Sequence, residues 1–147
     1  MRLSNLADYA VVAMCAAARH CGSVPVQGAR VSAAALAEET GLPVPTVQKL
    51  VSQLSRAGLL NSTRGAGGGI KLARPAAAIT LADIVEAVEG PIALTACVEQ
   101  ERSECALEAS CKVRPHWALV NEALRGALAD IPLTQLARMP EEMKLEA

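Results

Sequence analysis

A mainly α-helical fold with one small β-wing is what this sequence predicts, and three observations predict it. Ser32, Ala37, Gly41, Pro45 and Val47 fall at the spacing of two short helices joined by a tight turn. A glycine-rich run, Arg64–Gly69, is flanked by two short apolar segments, as in a β-hairpin. The chain is 52% hydrophobic yet has no Phe, one Trp and one Tyr, so its core is built from Leu, Val, Ile and Ala, a set that suits close-packed helices. Together these define a winged helix-turn-helix, followed by a long C-terminal helix.

Each element follows in order. Ser4 caps a first helix that is predicted to run to about Arg19, with Leu6, Ala10, Ala13, Met14 and Ala17 on its buried stripe and Asp8, Val12, Cys15 and Arg19 on another face. Cys21 to Arg30, with Gly22, Pro25 and Gly28, is a connecting loop. Ser32 caps a short helix to Thr40, Gly41 ends it in a left-handed turn, and Pro45 sits in the first turn of the next helix, where a missing N–H is tolerated. Leu36, Leu42, Leu50, Val51 and Leu54 complete the buried face of this pair. Leu59–Thr63 and Ile70–Ala73 are the strands of the wing. Thr80 caps a helix over Leu81–Val88, with Ile84, Val85 and Val88 inward, which stops at Gly90-Pro91. After a polar, cysteine-bearing loop, Pro115 starts what is predicted to be the longest helix. Its stripe of Trp117, Val120, Leu124, Ala127, Leu128 and Ile131 is more than so small a domain covers alone, which predicts a homodimer. The expected organisation is therefore a DNA-binding region over residues 1–78 and a loop-plus-dimerisation-helix region over 79–147, together forming one compact domain.

The net charge of −1 conceals an asymmetry. Through Ala78 there are eight basic and three acidic residues, and beyond it six basic and twelve acidic. A basic first half suits a polyanion; the acidic second half suits another task. The apolar run Ala10–Ala18 is too short for a membrane span or signal segment, so a cytoplasmic protein is expected. Five cysteines in a reducing compartment are expected to be thiols or ligands, not disulfides. No Ser/His/acid set is present, and Gly65–Leu72 lacks both the later glycine and the Ser/Thr after Lys71 that a nucleotide loop requires, so an enzyme is not expected.

On the second helix of the pair, the buried positions leave Pro45, Gln48, Lys49, Ser52 and Arg56 outward. Gln48 can pair with adenine, Lys49 can donate to guanine or phosphate, and Thr46 and Ser52 suit backbone phosphates. Arg64 begins a turn that lets backbone approach closely and is suited to a narrow minor groove. The partner is thus double-stranded DNA.

Cys97, Cys105 and Cys111 follow one another as C-x7-C-x5-C between two helices. Three soft thiolates on one connection admit an iron–sulphur cluster, a zinc ion completed by His116, or a reversible thiol switch. Cys15 and Cys21 are read as small apolar residues.

The whole pattern resembles the Rrf-two family of bacterial transcription regulators. The matching segments are Met1-Arg2-Leu3-Ser4 with Tyr9-Ala10, Leu50…Leu54…Ala57-Gly58-Leu59, Arg64–Gly69, Ile79–Ile84 and the three cysteines. Cys97-Val98-Glu99, Cys105–Glu108 and Arg114–Trp117 are most similar to the members that regulate the SUF cluster-assembly operon. The resemblance implies a homodimeric repressor with Arg64 and Gln48 at the DNA and an iron–sulphur cluster near the dimer interface, [4Fe–4S] being favoured over [2Fe–2S]. It also implies a fourth ligand. Some members use a His three residues after the last Cys, where this chain has Arg114, with His116 two residues later. Others use an acidic residue on the partner's first helix, which here corresponds to Asp8, the preferred ligand. The expected role is sensing of cluster status, oxidative stress or iron, with a nitric-oxide or redox sensor and a zinc-stabilised DNA-binding module as alternatives.

Overall fold

The computed structural model describes residues 2–22, 29–98 and 105–138. Six α-helices are present among them: α1 (Asn5–Gly22), α2 (Ala33–Thr40), α3 (Val44–Arg56), α4 (Leu81–Glu89), α5 (Arg114–Ala129) and α6 (Leu133–Leu136). One antiparallel hairpin joins β1 (Leu60–Thr63) to β2 (Gly69–Leu72), with Leu60 opposite Leu72 and Thr63 opposite Gly69.

Helix α1 passes through the middle of the molecule. Ala7, Ala10, Ala13, Met14, Cys15, Ala16, Ala17 and Ala18 are all buried, so its C-terminal half is covered on nearly every side. Cys15, expected on another face, belongs to this core, and burial pushes its thiol upward against a smaller pull from Arg19. The helix continues three residues past the predicted end at Arg19. Arg19 and His20 there both engage Glu39 of α2, at 2.8 and 2.6 Å. At 18 residues α1 is also longer than α5, which has 16, so the C-terminal helix is not the longest. The predicted loop after α1 lies mostly outside the described residues; Cys21, assigned to it from sequence, is helical.

Burial works against ionising Glu39, but hydrogen bonds from Arg19 and His20, with their charges, outweigh it and hold the carboxyl below its ordinary 4.5. A depressed carboxyl stabilises the fold above its unfolded value and loses that contribution as pH falls through the folded one. Glu39→Gln is therefore expected to flatten the acid limb of stability below about pH 4.5, measured by urea unfolding at a series of pH values. The groups are a third exposed, so the effect is small. An unaltered limb would remove Glu39 from the acid response.

Ser32 Oγ accepts from Ala35 N at 3.0 Å and caps α2; Gly41, at φ +72°, returns its N–H to Ala37 O and sends the chain into α3. Val47, Leu50, Val51 and Leu54 of α3 are buried against Leu36, Ala37 and α1. The hairpin is joined to this unit by backbone: Val31 and Ile70 exchange both hydrogen bonds, at 2.9 and 2.8 Å, and Leu59 N donates to Leu54 O of α3 at 2.9 Å. Thr80 caps α4 with a reciprocal bond from its own N–H to Asp83, completing a capping box.

The C-terminal elements turn back on this core. Leu81 N bonds Ile131 O, Leu133 N bonds Ile79 O, and Leu133 is fully buried. Helix α6 was not anticipated from sequence. The predicted apolar stripe is only partly covered within the chain: Val120 is 47% exposed and Ala127 is exposed, while Trp117, Leu124, Leu128 and, just beyond the end of α5, Ile131 are half-buried; Leu119, outside the stripe, is 70% exposed.

Candidate functional site

Two regions carry the candidate residues. In the first, α3 and the wing flank a groove of about 820 Å³. Gln48, Ser52 and Arg56 line it from the helix, and Thr63, Arg64 and Gly65 from the hairpin. Gln48, Lys49, Ser52 and Arg64 are exposed and Thr46 is half-buried at the start of α3. Lys49 and Thr46 face instead a smaller hollow shared with Asn5, Leu6 and Tyr9 of α1. The helix face and the wing thus offer uncovered donors on either side of one cleft, the arrangement needed for simultaneous major- and minor-groove contact.

Sequence reasoning missed Arg30 here. Its Nη1 donates to Thr63 Oγ1, and its Cβ lies where a side chain on Gly69 would come within 3.0 Å, so it supports the base of the wing. The wing tip is compact because Gly68 N reaches back to Gly65 O at 2.9 Å. A Cβ at Gly68 would stand 2.4 Å from Thr63 O, so only glycine fits.

The second region is the connection between α4 and α5. Cys97 and Cys111 are half-buried, Cys105 is exposed, and all three are free thiols. Thr95 Oγ1 lies 3.2 Å from Cys97 Sγ. Residues 99–104 of the connection lie outside the described residues. Asp8 is exposed on α1, and His116 is exposed in the first turn of α5. Among the described residues no three His, Cys, Asp or Glu side chains stand close enough together to hold a metal. The predicted ligands are therefore present, the cysteines unpaired by disulfides and half-buried or exposed, without being gathered at one point among the described residues. Their chemistry fits a thiophilic centre, since soft thiolates are what zinc and iron–sulphur clusters take.

A comparison with known families decides the class. A family model described as "Rrf2: Iron-dependent Transcriptional regulator" matches residues 3–139. The chain belongs to the Rrf2 family. Among curated Rrf2 relatives, the HTH-type transcriptional regulator IscR of Photorhabdus laumondii is 33% identical over 141 residues, covering 96% of this chain and 82% of the relative. IscR of Vibrio atlanticus is 30% identical over 145 residues, covering 99% and 80%. Two solved structures share the Rrf2 architecture. CymR, the global cysteine regulator of B. subtilis, superposes with a TM-score of 0.67 at 28% identity over 93% of this chain and 96% of its own. T. potens IscR does so at 0.63 and 30%, over 92% and 85%. The mainly helical winged-helix fold expected from sequence is thus the fold observed, and this Rrf2 protein is a DNA-binding transcriptional regulator, not an enzyme. No helix among its described residues is long and apolar enough to cross a membrane.

Proposed function

We propose that this regulator is a cytoplasmic repressor of iron–sulphur assembly genes of the SUF type, acting as a homodimer whose DNA affinity follows the state of an iron–sulphur cluster. The observation that carries the reading is the set of three free thiols, Cys97, Cys105 and Cys111, on a single connection of a winged-helix protein. They would hold the cluster, and Asp8 from the partner subunit would be its fourth ligand, with His116 as the alternative. A carboxylate is a hard, weak donor to such iron, which suits a centre that must be lost or altered to report. When bound, a cluster favours whichever arrangement of the cysteine connection and α1 binds it better, and that preference is the whole of its leverage on DNA affinity.

The exposed Leu119 and Val120 on α5 support a second copy as the cover for that face. Residues 1–78 would meet DNA through Thr46, Gln48, Lys49, Ser52 and Arg64, and residues 79–147 would sense and dimerise. The similarity to IscR, together with a family description that names iron dependence, supports iron as the signal-bearing metal.

Anaerobic purification tests the reading. Visible absorbance with stoichiometric iron and acid-labile sulphide is expected in the parent and is expected to be lost in Cys97→Ala, Cys105→Ala and Cys111→Ala; Mössbauer spectra then distinguish [4Fe–4S] from [2Fe–2S]. A colourless protein with one zinc per chain would sink the proposal. Asp8→Ala is expected to shorten cluster lifetime more than His116→Ala, and the reverse order would transfer the ligand role to His116.

For DNA, Arg64→Ala is expected to weaken binding to a duplex selected by the wild-type protein about 10- to 100-fold, the worth of one good groove contact. Oligomer size by light scattering is expected to stay unchanged. Undiminished affinity would take Arg64 out of the interface.

A further inference from the structure

Asn121 lies on α5, among the positions of its apolar stripe, and it is the one buried side chain of that helix and the one buried polar side chain among the described residues, at 8% exposure. Both ends of its amide are used on a distant stretch of backbone. Nδ2 donates to Ile92 O at 2.9 Å, and Oδ1 accepts from Leu94 N at 3.0 Å. The same stretch is held from the other side by α4: Glu86 Oε1 accepts from Ile92 N at 3.4 Å while both Glu86 oxygens take the Arg125 guanidinium, at 2.9 and 3.0 Å. Three residues beyond Leu94 stands Cys97, whose sulphur is in hydrogen-bond reach of Thr95.

A buried amide is costly unless both its donor and acceptor are satisfied, so an Asn at this position demands a peptide segment in one fixed place. An apolar residue would have packed the helix without that demand. The satisfied partners are the backbone of residues 92 and 94, the arm that leads to the first cysteine.

We infer that Asn121 is a positioning residue that, with Glu86 behind it, fixes the arm carrying Cys97, so that this thiol is the preset corner of the cysteine site. The part of this statement that concerns a cluster rests on the proposed function. The part that concerns the arm does not. Outer-shell groups that orient a ligand typically change metal retention by about 10- to 100-fold.

The test uses the metal-free full chain and reads each thiol separately, by timed iodoacetamide labelling and mass spectrometry. In Asn121→Ala, Cys97 is expected to label about tenfold faster, because the local structure that shields it has lost two hydrogen bonds. Cys105 is expected to label as before. Cys15, buried on α1, serves as the monitor of general loosening. Asn121→Leu keeps the branched shape and loses both hydrogen bonds; Cys97 is expected to label about as fast in it as in the Ala variant, and it stands in if the Ala variant does not fold.

An unchanged Cys97 rate in a folded variant overturns the inference, and so does a parallel rise at Cys97 and Cys15. In cluster-loaded protein, loss to a chelator is expected to be about tenfold faster in Asn121→Ala. If the parent chain takes up no cluster, the proposed function falls, and the labelling ratio still decides the role of Asn121.

Discussion

Gly68→Ala is expected to reduce DNA affinity about 100-fold or more while leaving the helical core intact. The added Cβ would stand 2.4 Å from Thr63 O, 2.8 Å from Arg64 C and 2.8 Å from Gly65 O, and all three are backbone atoms that no side-chain rotation moves away. Something in the hairpin must open, and backbone strain of this kind costs about 1–3 kcal/mol where it is not relieved. The atoms that give way belong to the residues that carry Arg64. The hairpin makes its link to the rest of the protein further back, at Val31–Ile70 and Leu54–Leu59, so the damage stays at the tip. Anisotropy titration of a duplex selected by the wild-type protein, beside thermal unfolding by circular dichroism, separates the two effects. Full affinity, or a fall in melting temperature as large as that of a core variant, would contradict the wing geometry. Gly65→Ala makes a graded control: its Cβ has open space around it, and only the φ of +89° resists, so its loss is expected to be about tenfold.

Leu133→Ala carries the largest expected loss of stability, about 2–5 kcal/mol. Leu133 is fully buried, and among the described residues beyond Val85 it and Asn121 are the only buried side chains. It therefore holds the end of the chain on the core, beside backbone bonds from Leu133 to Ile79 and from Leu81 to Ile131. With typical domain stabilities of about 5–15 kcal/mol, a loss of this size is easily read by urea unfolding at fixed protein concentration. A change under about 1 kcal/mol would mean that α6 adds little to the core.

The local elements were legible in the sequence because their causes are local. Ser32 with Gly41, and Thr80, are capping and stop signals whose partners lie within one turn, and they act as read; the return bond to Asp83 completes the cap at Thr80. The glycine run after Arg64 is likewise a turn that needs no distant partner. Asn121 was not legible. An Asn among apolar helical positions reads as a solvated residue, and its partners are backbone groups 27 and 29 residues away, which no periodicity records. The extension of α1 to Gly22 was missed for the same reason, since Arg19 and His20 are held by Glu39, 20 and 19 residues further on. The three cysteines are free thiols on one connection, as read, and among the described residues they are not gathered with other ligands at one point, because spacing within a loop specifies reach and leaves direction undetermined.

The alanines of α1 give the protein an unusual kind of mutational tolerance. Leucine positions such as Leu50 and Leu54 fail by subtraction, when a smaller side chain leaves a void. Ala10, Ala16 and Ala17, at 0% exposure, have almost nothing to subtract and no rotamer freedom to lose, so they fail by addition, when any larger group forces neighbouring backbones apart. Tolerated substitution along this central helix is thus expected to be confined to the smallest residues, and the spacing of the surrounding helices is a distance set by backbone on backbone.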